Sequence, residues 1–245
     1  VTVPTAPAAD QKRLLEVQAA DLKAQQARHR RSTLPVLAQL DELTARVVDL
    51  GDERAARGAV VGDLRREVTK IEDDVASVRA RAERDNARLQ SGQGTPKDLQ
   101  ALSNELEALS RRTTELEDTE LEAMERLEAA EAELASAETQ HGEIAGQIAE
   151  LEELRDAAFS EIDAELDQIA AERRNAADGL DAGLISLYET LRDQHGGIGA
   201  APLVRGQCQG CHMTLNAGDL AAIVAAPADQ VVRCEECGRI LVRDA

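Results

Sequence analysis

The sequence predicts a mainly α-helical protein, a long antiparallel coiled-coil hairpin followed by a small C-terminal domain organised by four cysteines. Three observations predict it. Apolar residues recur at alternating three- and four-residue spacing along two long stretches. A short break, Ser91-Gly-Gln-Gly-Thr-Pro96, separates the two stretches. The only cysteines, Cys208, Cys211, Cys234 and Cys237, crowd into the final segment as two C-x-x-C pairs.

Composition agrees. The 245 residues are 31% charged, with a formal net charge of −19, and contain one Phe, one Tyr and no Trp. A globular core of this length ordinarily draws on more large aromatics, whereas an Ala-, Leu-, Glu- and Arg-rich chain is suited to long helices. No apolar run approaches the ~20 residues of a membrane-spanning helix, and residues 1–10, with Pro4 and Pro7, lack a basic start and an apolar stretch. They read as a flexible tail, and the expected location is the cytoplasm.

Residues 11–195 are assigned to the hairpin, with its tip at about 90–97. Gln11 to Arg31 reads as a first helix, and Ser32 and Thr33 as caps for a helix entered through Pro35. Leu40, Val47, Val61, Val68, Val75, Ala82 and Leu89 then hold one seam position; Leu43, Leu50, Leu64, Ile71, Val78 and Asp85 hold the other. Arg54 and Arg57 interrupt the seam amid Gly51, Gly58 and Gly62. Thr95 and Pro96 restart the helix, and a second register runs from Leu99 and Leu102 towards Ile162 and Ile169. So short a break makes the arms antiparallel neighbours. With the turn centred near Gln93, Arg54 and Arg57 are expected to reach Glu131 or Glu133. Charge favours this pairing over self-pairing of the second arm: residues 11–90 carry 16 Lys+Arg against 14 Asp+Glu, and residues 97–195 carry 8 against 27. The second arm is expected to run on towards Ala182, with Gly142 and Gly146 as candidate bends. His141 reads as a polar residue tolerated in the seam, and Leu184, Leu187, Tyr188 and Leu191 as an apolar docking face.

Residues 196–245 carry the chemistry. Two residues between cysteines let both sulfurs reach one ion from a tight turn. Two such turns supply four thiolates, the tetrahedral set that zinc prefers. Cys208, Cys211, Cys234 and Cys237 are therefore assigned as ligands of one structural Zn2+. Two disulfides would use the same residues, but the paired spacing fits zinc better. A thioredoxin-like site needs one C-x-x-C beside a βαβ pattern, and neither condition holds. Cys208-Gln-Gly-Cys211-His212 also reads as a c-type haem attachment, which leaves the second pair unexplained. His212 is taken as a neighbour of the site, an exchange with Cys211 as ligand being the alternative. Short strands at Ala200–Arg205, Gln230–Arg233 and Arg239–Val242 and a helix over Asn216–Ala226 complete a zinc ribbon.

A helical hairpin followed by Cys-Gln-Gly-Cys-His and Cys-Glu-Glu-Cys-Gly-Arg-Ile-Leu resembles the bacterial coiled-coil zinc-ribbon proteins, among them the flagellar and type III secretion adaptors. The Pro96-Lys97-Asp98-Leu99 stretch is similar to a signature of that family. The resemblance implies a non-enzymatic adaptor or chaperone-like scaffold that binds protein partners, with RNA binding attributed to one branch. The Ala, Arg and Glu usage points to an actinobacterial member. No nucleophile–base pattern, phosphate-cradling loop or open metal position is found, so no catalytic residue, cofactor-binding residue beyond the zinc ligands, or small-molecule substrate is assigned. Nucleic-acid binding through Arg205, Arg233, Arg239 and Arg243 is the alternative, opposed by the acidity of the chain and the lack of stacking aromatics.

Overall fold

A computed structural model describes residues 4–243. The described residues are mainly α and form nine elements: α1 (Ala8–Ser32), α2 (Pro35–Gln90), α3 (Pro96–Ala177), α4 (Ala182–Gln194), β1 (Ala200–Val204), β2 (Gln207–Cys208), α5 (Ala217–Ala225), β3 (Val232–Arg233) and β4 (Ile240–Val242). It divides into two compact units, one spanning Ala38–Glu152 and the other combining residues up to Leu37 with those from Glu153 on.

In the Ala38–Glu152 unit, the buried residues of α2 fall on the predicted seam: Leu40, Leu50, Val61, Val68, Ile71, Val75 and Asp85. Val68, Ile71 and Val75 pack with Leu116 and Ala123 of α3, and burial of each large aliphatic side chain contributes roughly 1.5–3 kcal/mol. Ion pairs flank the seam, among them Arg65–Glu131 and Arg126–Glu67, each worth about 0.2–1 kcal/mol at such exposure. Of the two interrupting arginines, Arg57 crosses the seam: its Nη1 donates to the Glu133 carbonyl at 2.9 Å, and Nη2 bonds Glu53 at 2.6 Å. Arg54 is exposed, and Glu131 is taken by Arg65. Helical side chains lean towards their own N-terminus, so in an antiparallel pair a long arginine reaches past the residue directly opposite.

At the tip, Thr95 and Asp98 cap α3 reciprocally. The Thr95 N–H and hydroxyl donate to Asp98 Oδ2 at 3.0 and 2.7 Å, and the Asp98 N–H donates back to Thr95 Oγ1 at 3.3 Å. The Thr95 N–H, with its hydroxyl, holds the Asp98 carboxyl below its ordinary range. Gly92 and Gly94 supply the left-handed backbone of the turn, at φ 65 and 139°. α3 runs unbroken through Gly142 and Gly146, where sequence suggested bends. His141 lies half-buried over Gly51: a methyl group there would sit 4.0 Å from His141 Nε2.

In the other unit, three expectations need correction. Residues 4–10 are not a flexible tail. Thr5 bridges Gln230, the Ala6 N–H donates to the Asp229 carbonyl at 2.8 Å, and α1 begins at Ala8; residues 1–3 lie outside the described residues. Ser32 and Thr33 do not cap α2, because both hydroxyls bond back to the His29 carbonyl, at 3.0 and 2.8 Å, and close α1. The second arm stops at Ala177 rather than near Ala182. Gly179 adopts φ 70°, and Asp181 caps α4 by accepting the Leu184 N–H at 2.8 Å.

Leu14 and Val17 of α1 bury against Leu184, Tyr188 and Leu191 of α4, while Ala20, Ala24 and Ala27 bury against Ile162 and Ile169 of α3. Asp21 ties three helices together. It accepts from Arg173 at 2.7 Å and from the Tyr188 hydroxyl at 2.7 Å, and Arg192 stands 3.3 Å away. Burial would raise its pKa, but these donors outweigh burial and hold the carboxyl below its ordinary range; the Tyr188 hydroxyl is pushed far up, by burial first and by Asp21. The sheet is ordered β2-β1-β4-β3, with β1 and β4 parallel and the outer pairs antiparallel.

Candidate metal centre

Both cysteine pairs sit on turns built the same way. In the first, the Cys208 N–H donates to the Met213 carbonyl at 3.1 Å and the His212 N–H to the Cys208 carbonyl at 2.8 Å. In the second, the Cys234 N–H donates to the Arg239 carbonyl at 2.9 Å and the Gly238 N–H to the Cys234 carbonyl at 2.8 Å. Such a turn requires left-handed backbone after its second cysteine. Gly238 provides it at φ 71°, and His212 provides it at φ 59° despite its side chain. Gly210 has a different constraint, close approach: a Cβ there would lie 2.8 Å from Arg239 Cδ and 3.0 Å from Ala201 Cβ.

The two turns bring Cys208, Cys211, Cys234 and Cys237 together, all four Sγ atoms within 4.8 Å of one another. Across the turns, Cys208 and Cys237, and Cys211 and Cys234, are each 3.9 Å apart. A tetrahedron of Zn–S bonds near 2.3 Å has an edge of about 3.8 Å, whereas a disulfide requires about 2.05 Å. The donor set therefore fits one zinc ion and fills its four positions with sulfur. Cys208 and Cys234 are buried and Cys211 and Cys237 half-buried. His212 is exposed and contributes no atom to the cluster, whose sulfurs include that of Cys211.

Amide hydrogens point at the sulfurs. Burial pushes the Cys208 thiol up, against backbone donors from Cys211 and Gly210. Burial takes Cys234 up to about 12, against donors from Cys237 and Glu236. At Cys237 burial acts the same way but is outweighed by the backbone N–H and side chain of Arg239, and the thiol falls to about 7. A bound cation holds such thiols as thiolates, and the amide donors offset part of their negative charge.

Around the sulfurs, Ala201, Leu215, Ile223, Val232 and Leu241 form a small core. Polar bonds that sequence reading missed hold it in position. Gln18 is buried; its Oε1 accepts the Gly199 N–H at 2.8 Å, and its Nε2 donates to the Gly197 carbonyl at 2.9 Å. Gln11, one heptad earlier, donates to the Ala6 carbonyl at 2.9 Å. The available signal was two glutamines seven residues apart on the face that carries Leu14. Arg243 donates to the carbonyls of Ala226, Pro227 and Gln230 at 2.8, 2.7 and 2.9 Å. Arg239 serves Ile198 and His195, and Arg233 serves Gly238. Arg239 and Arg243, two of the four arginines offered for nucleic acid, are thus committed to the protein's own carbonyls, while Arg233 stays exposed.

Residues 17–196 match the CT398-like coiled coil hairpin domain, and residues 207–241 match the C4-type zinc ribbon domain. The chain belongs to the CT398-like coiled-coil hairpin family. It is 35% identical over 235 residues to an uncharacterised protein of Mycobacterium tuberculosis, covering 96% of both chains. It is 29% identical over 224 residues to one of Mycobacterium leprae, covering 88% of this chain and 93% of the other. A solved structure from Mycobacterium smegmatis is similar at TM-score 0.86 and 37% identity, over 98% of this chain and 99% of that one. CT398 from Chlamydia trachomatis shares the fold at TM-score 0.70 and 19% identity, over 96% and 98%. Among the described residues no helix is long and apolar enough to cross a membrane.

Proposed function

We propose that this protein is a non-enzymatic, zinc-dependent adaptor that binds protein partners through its hairpin and its ribbon. The observation that carries this reading is the sulfur cluster. Four cysteines occupy a tetrahedral ion completely, leaving no position for water or substrate, so the metal acts as a structural clasp. Exposed apolar side chains supply contact surface. Leu121 and Met124, three residues apart on α3, are 61% and 47% exposed; Met213 and Val224 of the ribbon are 51% and 72% exposed. The engagement of Arg239 and Arg243 with the protein's own carbonyls favours protein over nucleic acid as the partner, because phosphate recognition needs guanidinium groups directed to solvent.

Affinity capture with the zinc-loaded protein and with the Cys234→Ser, Cys237→Ser double variant tests this reading, combined with gel shifts on RNA and duplex DNA across a salt series. The expected result is a protein captured in stoichiometric amount and no shift at low salt. A shift that weakens steeply with salt, without a stoichiometric protein partner, would replace the adaptor with a nucleic-acid binder.

A further inference from the structure

A notch between α1, α3 and α4 is separate from the sulfur cluster and takes no part in the adaptor reading. It encloses about 360 Å³, within the size range of small-ligand pockets. Ala24, Leu166, Ile169 and Ala170 line it with apolar surface, and Arg28, Arg173 and Arg192 are among the residues that border it. Asp21 is the one acidic residue among those lining it. On a chain with a net charge of −19, a cavity lined by three arginines and one carboxylate runs against the general balance.

The arginines are also preorganised. Arg173 is held by Asp21 at 2.7 Å and by Glu189, and Arg192 by Glu189 at 2.9 Å and Asp21 at 3.3 Å. Asp193 adds a further, exposed partner to Arg192 at 3.3 Å, and Asp21 and Glu189 together fix the planes of both guanidinium groups. Arg28, which is exposed, makes no ion pair among the described residues, so its guanidinium is the one of the three left open to a ligand. Fixed guanidinium forks beside an apolar floor suit an oxyanion carried on a short apolar body.

We propose that this notch binds a small organic anion, a carboxylate or phosphate monoester with an alkyl or aryl group, with Arg28 as the principal contact and Arg173 and Arg192 as fixed donors. The apolar group would lie on Leu166 and Ile169. Binding would join α1, α3 and α4 through one more set of charge-assisted bonds.

The test is calorimetric titration of the full-length zinc-loaded protein with hexanoate, phenyl phosphate, inorganic phosphate and neutral hexanol, at constant ionic strength. Saturable binding of hexanoate or phenyl phosphate is expected, tighter than that of inorganic phosphate and absent for hexanol. Which of the two organic anions binds more tightly assigns the head group. Arg28→Ala should weaken binding about tenfold or more with an unchanged circular dichroism spectrum. Lys23→Ala, on an exposed pair with Glu172, should leave binding unchanged. No saturable binding of either organic anion, equal binding of hexanol, or an affinity indifferent to Arg28→Ala would each overturn the proposal. None of these outcomes bears on partner capture, so this inference and the adaptor reading fail separately.

Discussion

Between Ala38 and Glu152 the buried side chains fall on one seam running along two helices, whereas the core beside the four-stranded sheet gathers residues as far apart in sequence as Ala6 and Ile240. The first arrangement repeats one local contact many times and needs no centre. The second has β-strands of two to five residues, too short to hold one another, and depends on an ion and on single polar bonds from α1. Repetition spreads stability over many modest contributions, while a small sheet concentrates it in a few groups whose loss is severe.

The largest effect expected from this difference comes from removing the metal. Structural zinc sites of this kind contribute on the order of 10 kcal/mol of binding free energy that is also folding free energy. Chelation at neutral pH, or the Cys234→Ser, Cys237→Ser substitution, should abolish amide-exchange protection in β1 and β4 while amides from Val61 to Val78 stay protected. Loss of protection in both places would show that the two regions are not independently stabilised.

Asp21→Asn comes next. It leaves Arg173 and Arg192 beside a neutral group, and breaking a buried pair this way costs about 3 kcal/mol or more. The same residue gives a pH dependence. Its folded pKa lies below the ordinary 3.8, so its contribution is fully present above that value and is lost as pH falls through the folded pKa. Acid titration of the α1–α4 region, followed by Tyr188 fluorescence on zinc-loaded samples, should show a stability loss below about pH 4 that Asp21→Asn lacks.

Ile71→Ala should cost a comparable 2–4 kcal/mol through lost burial and a cavity. The loss should appear in the thermal unfolding of the hairpin, with zinc affinity unchanged. Smaller effects should follow at the glycines. At Gly58 and Gly142 a Cβ would meet nothing within 4 Å, so alanine at either should raise the hairpin melting temperature by an increment equivalent to about 0.5–1 kcal/mol. His212→Gly, by relieving left-handed backbone in the first cysteine turn, should stabilise the ribbon by about 0.5–1 kcal/mol, read as increased resistance to chelator.

The seam was legible in sequence because a coiled coil writes its contacts as a period. The first arm's buried residues lie on the register drawn from Leu40 to Asp85. The four cysteines were legible because thiolate ligands cluster by spacing. What escaped notice depended on single long-range bonds. The docking of Pro4 to Ala6 beside residues 229–231 is backbone pairing between segments that share no pattern. Asp21 looked like one more acid on a helix; the three donors that give it a role come from residues more than 150 positions away. Ser32 and Thr33 carried a cap signal that is symmetric in sequence, and only the helix end beside them decided its direction.

X-ray absorption at the zinc edge of the protein as purified, with metal content measured in parallel, addresses the closed centre most directly. One zinc per chain with four sulfur neighbours near 2.3 Å and no lighter neighbour is the predicted result. Three sulfurs with one oxygen or nitrogen, or a protein that holds no zinc, would contradict it and reopen the centre to chemistry.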